Sequence, residues 1–144
     1  MSTISQDNLK RFQQSLRRVS QKEGFYESFY EYFIAQSDEM AKIFHNRNMA
    51  QLIHKLKETL QMVDDVVAGK PGVVLYMEML GRIHTRLKVE RRHLDMWTDA
   101  LMSTVKSYDD EYDSQVHAAW IEAIEMVTSF MYPQEEQVNL AAMQ

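Results

Sequence analysis

Apolar residues recur every three to four positions along most of the chain, which is the spacing of one buried helix face. The clearest stripe lies between positions 49 and 67 and consists of Met49, Leu52, Ile53, Leu56, Leu60, Val63 and Val67. The pattern predicts helices at about 5–20, 25–36, 39–43, 48–67, 73–87, 90–106 and 113–131. Pro133 ends the last helix, so we predict one domain at 1–132 and a partly ordered C-terminal tail at 133–144.

A single histidine interrupts the apolar face of the helix predicted at 73–87. At about 100° per residue, His84 lies in the middle of the stripe formed by Val73, Met77, Leu80 and Leu87. An imidazole at that position points inward, where an unsatisfied polar group costs about 1–3 kcal/mol. His84 must therefore hydrogen-bond within the core or bind a metal, and its position taken alone favours the hydrogen-bonded core histidine.

Composition narrows the fold and the chemistry. Four glycines and two prolines among 144 residues are few, which favours a single all-α domain with short connections. The chain has no cysteine, so disulfides, thiolate metal sites and thiol catalysis are excluded, and any metal must be held by His, Met, Tyr or carboxylate. No run approaches the length of a membrane span, and the polar first residues lack the apolar core of a signal peptide. We therefore predict a cytoplasmic protein that does not contact a membrane.

Charged residues are predicted to lie on solvated faces. A net charge of −5 disfavours nucleic-acid binding, which needs a basic surface. The basic cluster Lys10, Arg11, Arg17 and Arg18 and the acidic run Asp109-Asp110-Glu111 are both expected to face solvent. The chain also lacks a glycine-rich phosphate loop and a serine nucleophile in a recognisable setting, so hydrolase chemistry is unsupported.

Several segments, taken together, resemble a known family. They are the runs at 29–33, 40–44 and 49–60, then His84, then the run at 94–101 followed by Thr104-Val105. Tyr30 is followed after fourteen residues by Phe44, after eight more by Leu52, and after thirty-two more by His84. In this order and spacing, residues 5–131 resemble the bacterial single-domain globins, relatives of the globin module of flavohaemoglobins.

This resemblance implies a globin fold, a three-over-three helical sandwich around a pocket for haem b. It makes His84 the proximal iron ligand, Phe44 the phenylalanine on the haem plane and Tyr30 the distal tyrosine. Residues predicted to line the pocket are His84, Phe44, Tyr30, Leu52, Leu56, Leu80, Val89 and Trp97.

The sequence departs from the family pattern on the distal side of the haem. Leu52 stands where relatives commonly carry a glutamine, so Tyr30 becomes the expected donor there unless Lys55 or His54 turns inward. Flavohaemoglobins have a tyrosine where this chain has Leu94, and Glu135 is a poor match for their paired glutamate. The chain also stops before a flavin or nicotinamide domain, so nitric oxide dioxygenase turnover would need a separate reductase.

Two functional classes follow from these observations. The first is a haem protein, monomeric or homodimeric, that binds O₂, NO or CO for oxygen binding or transport, sensing, or NO detoxification. The second is a haemless globin-fold sensor or interaction module in which His84 is a buried structural histidine. The visible absorption spectrum separates the two classes.

Overall fold

The computed structural model describes residues 4–131, and these residues form seven α-helices and no strand. The helices are α1 (Gln6–Ser20), α2 (Phe25–Ala35), α3 (Asp38–Ile43), α4 (Met49–Val67), α5 (Val73–Arg86), α6 (Arg91–Tyr108) and α7 (Ser114–Met131). Each predicted helix is found with ends within two residues of those expected, so the all-α prediction is confirmed. The tail predicted at 133–144 lies outside the described residues.

Local sequence sets the helix starts. Ser5, Ser37 and Asn48 precede α1, α3 and α4, and the side-chain oxygen of each accepts a backbone N–H three residues on, at 3.1–3.2 Å. Gly24 and Gly72 precede α2 and α5 with φ of 87° and 83°, a conformation that favours glycine. Short polar caps and glycines therefore divide the chain where the apolar pattern breaks.

The helix contacts define two layers of three helices. Helix α4 contacts α1 and α5 in one layer, and α6 contacts α2 and α7 in the other. Across the layers, α7 packs against α1, α4 and α5, and α2 packs against α4. The short α3 lies against α2. This is the three-over-three sandwich that the sequence predicted.

The core between α1 and α7 is built on aromatic rings. The rings of Phe12 in α1 and Trp120 in α7 are fully buried and meet edge to face, with centroids 4.9 Å apart. The indole N–H of Trp120 donates to the Ser15 hydroxyl at 2.8 Å, so its polar atom is satisfied inside the core. These contacts join α1 to α7.

A buried charge network ties α1 to the end of α6. Asp109 is only 4% exposed, and its carboxylate accepts hydrogen bonds from Arg18 at 2.6 and 2.9 Å and from Ser15 at 2.6 Å. Burial opposes this charge, but those bonds and the backbone N–H of Glu111 outweigh it and hold the pKa of Asp109 below its usual range. The prediction that Asp109 faces solvent is wrong, because its carboxylate is covered at the edge of the core and is paired there with Arg18, whose side chain is 25% exposed.

Helix α5 is packed tightly on one side and exposed on the other. A Cβ at Gly81 would lie 1.8 Å from the carbonyl oxygen of Met131, so only glycine allows this approach of α5 to α7. Exposed apolar side chains of α5 are Val74, Leu75, Tyr76, Met79 and Ile83, and Leu87 directly after the helix is exposed as well. Within residues 4–131, no helix is both long and apolar enough to cross a membrane.

Candidate functional site

A cavity of about 440 Å³ opens between the helices that carry the predicted site residues. Its volume lies within the range of about 300–1,000 Å³ that is usual for small-molecule and cofactor pockets. Most of the wall is hydrocarbon from α2, α3, α4, α5, α6, α7 and the α5–α6 connection: Phe33, Met40, Ile43, Phe44, Met62, Val63, Met77, Leu80, Leu87, Val89, Leu94, Trp97, Ile124, Val127 and Met131.

His84 lies on this wall near the C-terminal end of α5. Its Nδ1 atom is buried, and no described residue provides it with a hydrogen-bond partner. Desolvation by burial lowers the pKa of His84 below its ordinary value, so the imidazole is neutral at pH 7. A neutral imidazole is the form that ligates a metal, and the core hydrogen bond that would explain a purely structural histidine is missing among the described residues.

The connection after His84 shapes the cavity edge. The backbone N–H of Val89 donates to the His84 carbonyl at 2.9 Å, and Lys88 between them has φ of 61°. This left-handed residue ends α5 and turns the chain so that Lys88 and Val89 both line the cavity. The end of α5 thereby fixes His84 and its neighbours on one wall.

The structure brings together five of the residues that the sequence singled out. His84, Phe44, Leu80, Val89 and Trp97 all line the cavity. Phe44 follows directly after α3, and its ring lies 5.5 Å from that of Phe33 in α2, centroid to centroid. These five residues come from two helices and two connections, which is why only the folded chain assembles them.

The other three predicted residues lie behind the wall rather than on it. Tyr30, Leu52 and Leu56 are not among the residues that line the cavity. The Tyr30 hydroxyl donates to the Leu52 carbonyl oxygen at 2.7 Å, and burial raises the pKa of Tyr30 to about 12. Leu56 is 2% exposed and packs in the core. The distal role predicted for these residues remains a prediction.

Helix α4 turns a different face to the cavity. Its lining residues are Lys55, Glu58, Thr59, Met62 and Val63, which follow the three-to-four spacing of a helix face. Sequence reasoning missed this face because its first three members are polar, whereas the stripe through Leu52, Leu56 and Leu60 is continuous and apolar. Leu56 and Leu60 of that stripe are buried in the core instead.

A second histidine on the wall is already satisfied. Nδ1 of His93 accepts the backbone N–H of Glu90 at 2.8 Å, and its Nε2 lies 2.6 Å from the Glu39 carboxylate. Arg92 donates to the same carboxylate at 3.0 and 3.1 Å. This cluster joins α3 to the start of α6 at the cavity rim. His93 therefore differs from His84, whose buried Nδ1 has no such partner in the part of the chain that the structure describes.

Comparison with known proteins agrees with this architecture. The profile of the globin family matches residues 26–131. The chain therefore belongs to the globin family. It is also similar to a crystal structure from Pseudomonas aeruginosa PAO1, of a protein described as structurally highly homologous to a human haemoglobin, with a TM-score of 0.76 and 25% sequence identity over 86% of this chain and 98% of that one. No curated protein matches the chain significantly.

Membership of the family confirms the globin fold that the sequence predicted. Globins typically bind haem and diatomic gases, so the family supports a haem-binding globin in general. The relation to flavohaemoglobins is compatible with these findings.

Proposed function

We propose that this globin binds haem b, with His84 as the protein ligand to iron, and reversibly binds O₂, NO and CO. The observation that carries the proposal is a neutral histidine on the wall of a largely apolar cavity, whose buried Nδ1 has no hydrogen-bond partner among residues 4–131. Haem is a large apolar disc that needs one neutral imidazole from the protein and hydrocarbon around it. His84 supplies the imidazole. Part of the surrounding hydrocarbon comes from Phe44, Leu80, Val89 and Trp97.

The roles of the residues follow from their positions. His84 offers a nitrogen that stays unprotonated at pH 7, and Gly81 fixes the distance of its helix from α7. The apolar side chains exclude water, which keeps the site at low dielectric. When bound, haem supplies an iron centre that takes a diatomic gas. Gas binding serves oxygen binding or transport directly, whereas NO detoxification also requires a source of electrons.

Haem titration tests the proposal. Added to the haem-free protein, haem should quench tryptophan fluorescence with a break at one equivalent, because Trp97 lies on the cavity wall. The melting temperature should also rise, since a ligand at about 100 times its Kd stabilises the native state by about 2.7 kcal/mol.

Two matched variants on α5 sharpen this titration. Leu80→Asp places a charge on the cavity wall and should weaken haem binding at least tenfold, while Leu75→Asp changes a side chain that is 72% exposed on the outer side and should not. Equal melting temperatures with and without haem, together with no saturable quenching in the wild type, would support the haemless sensor or interaction module instead.

Haem retention is expected to fall as the pH drops below about 6.5, the ordinary pKa of histidine. The folded-state pKa of His84 is lowered by burial, so in this window the unfolded chain binds a proton that the native protein does not, and the free energy of unfolding decreases with falling pH. Protons also compete with iron for the imidazole. The carboxylates Asp109 and Glu39 have pKa values below their usual range and remain ionised here.

The absorbance of protein-bound haem, followed from pH 7.5 to 4.5, measures this release. In the His54→Gln control the midpoint should be unchanged, because the His54 side chain is 74% exposed and lies off the cavity wall. Haem retention that is constant across the window in the wild type would contradict iron ligation by His84.

A further inference from the structure

The face that α4 turns to the cavity is polar toward the N-terminal end of the helix and apolar toward its C-terminal end. Met62 and Val63 line it toward the C-terminal end of the helix, and Lys55, Glu58 and Thr59 line it toward the N-terminal end. Since α4 and α5 belong to the same layer and both line the cavity, these polar residues and His84 belong to the walls of one space. A small ligand held at His84 therefore shares the cavity with side chains of α4.

Most polar groups near this space are already bonded. The Thr59 hydroxyl donates to the Lys55 carbonyl oxygen at 2.9 Å, and the Tyr30 hydroxyl donates to the Leu52 carbonyl oxygen at 2.7 Å. His93 is held by Glu39 and by the backbone of Glu90. None of these groups is available to a ligand without breaking a hydrogen bond that the fold makes.

The Lys55 ammonium is held weakly. It lies 3.9 Å from the Glu58 carboxylate, near the outer limit for an ion pair, while the other oxygen of that carboxylate contacts His54 at 2.8 Å. The Lys55 side chain is 75% exposed, so its flexible stem can bring the charge to the cavity at little cost. Lys55 is thus the donor on the α4 wall that the fold leaves most free.

We propose that Lys55 is a specificity-determining residue of this cavity, and that it favours small anionic ligands bound opposite His84 over neutral ones. The proposal rests on the proposed function, because the ligand is held by haem iron. A cation at the edge of an apolar cavity attracts an anion through a charge-assisted hydrogen bond, which a neutral ligand does not gain. Lys88, the other lysine on the wall, also attracts an anionic ligand, whereas the negative charge of Glu58 repels it.

The test compares two lysines on the same helix. Ferric haem-loaded wild type, Lys55→Met and Lys57→Met are titrated with azide and with fluoride, and the ferrous forms with CO, by absorption spectroscopy. Lys57 is exposed, lies off the cavity wall and has its ammonium 5.1 Å from the centroid of the Tyr26 ring, so its substitution removes the same charge without touching the cavity.

We expect Lys55→Met to weaken azide and fluoride binding about 10- to 100-fold, the effect of losing one charge-assisted hydrogen bond, and to leave CO affinity within twofold. Lys57→Met should change all three affinities less than twofold. A Tyr30→Phe variant is titrated alongside, because Tyr30 is the alternative donor, although its hydroxyl already donates to the Leu52 carbonyl oxygen at 2.7 Å.

Three results would overturn the proposal. Equal azide affinities in Lys55→Met and Lys57→Met would show that Lys55 does not act on the ligand, and a loss confined to Tyr30→Phe would assign the donor to Tyr30. A low-spin ferric spectrum of the wild type that Lys55→Met abolishes would show that the amine itself binds iron. Haem uptake is measured first, so a wild type without haem refutes the proposed function as well, whereas normal uptake with any of these three results refutes Lys55 alone.

Discussion

Replacing His84 by alanine is expected to yield a folded protein that binds haem at least tenfold more weakly and retains less of it on purification. The substitution removes the neutral imidazole from the cavity wall but leaves the apolar residues around it in place. A tenfold loss of affinity corresponds to about 1.4 kcal/mol, and loss of an iron ligand costs at least that much. Added imidazole should restore part of the haem content, because it can occupy the space that the side chain leaves. Pyridine haemochrome content and the melting temperature measure the outcome.

His93→Gln is the matched control for His84→Ala, because it changes the other histidine on the same wall. His93 is held by Glu39 and by the backbone of Glu90, so its replacement should leave haem content near that of the wild type. If His93→Gln lost haem while His84→Ala kept it, the iron ligand would have to be reassigned to α6.

Asp109→Asn is expected to lower the free energy of unfolding by about 3 kcal/mol. Breaking a buried ion pair costs about 3–5 kcal/mol, and the lower end applies because the Arg18 side chain is 25% exposed and keeps access to water. Asparagine keeps the size of the side chain. It lacks the negative charge of the carboxylate, whose oxygens accept hydrogen bonds from Arg18 and Ser15. Urea denaturation of the wild type and the variant, followed by circular dichroism, gives the difference.

Asp110→Asn provides the comparison at the neighbouring position. The Asp110 side chain is 80% exposed and pairs with Lys22 at 2.7 Å, and exposed pairs of this kind contribute about 0–1 kcal/mol. A loss of stability of similar size in both variants would mean that net charge, and not the buried network, determines the effect of Asp109→Asn.

The positions of the helices were predictable because apolar residues recur at helical spacing along the chain. The helix starts depend on short-range signals such as Ser37, Asn48 and Gly72. Each of these residues directly precedes the helix that it begins. The apolar stripes also specify which face each helix buries. The position of His84 on such a stripe marked it as an inward-facing polar group, but the stripe alone favoured a core histidine, and only the resemblance to the globins pointed to a haem pocket.

Contacts between distant residues were not predictable in the same way. Asp109 looked like one carboxylate in an acidic run, and only the approach of Arg18 and Ser15, more than ninety residues earlier, makes it a buried group. On α4, the apolar stripe through Leu52 and Leu56 was taken for the cavity wall. A helix in the middle of a layered fold has two covered faces, and periodicity alone does not say which of them meets a cofactor.

The visible absorption spectrum of the haem-loaded protein tests the central claim most directly. With His84 as the ligand, the reduced protein should show a Soret band typical of haem bound by a neutral histidine. Addition of CO should shift this band to the position typical of CO complexes of histidine-bound haem. The same spectrum should be lost in His84→Ala and recovered with imidazole. A purified protein that shows no Soret band and gains none on addition of haem would contradict the account and leave His84 as a structural histidine.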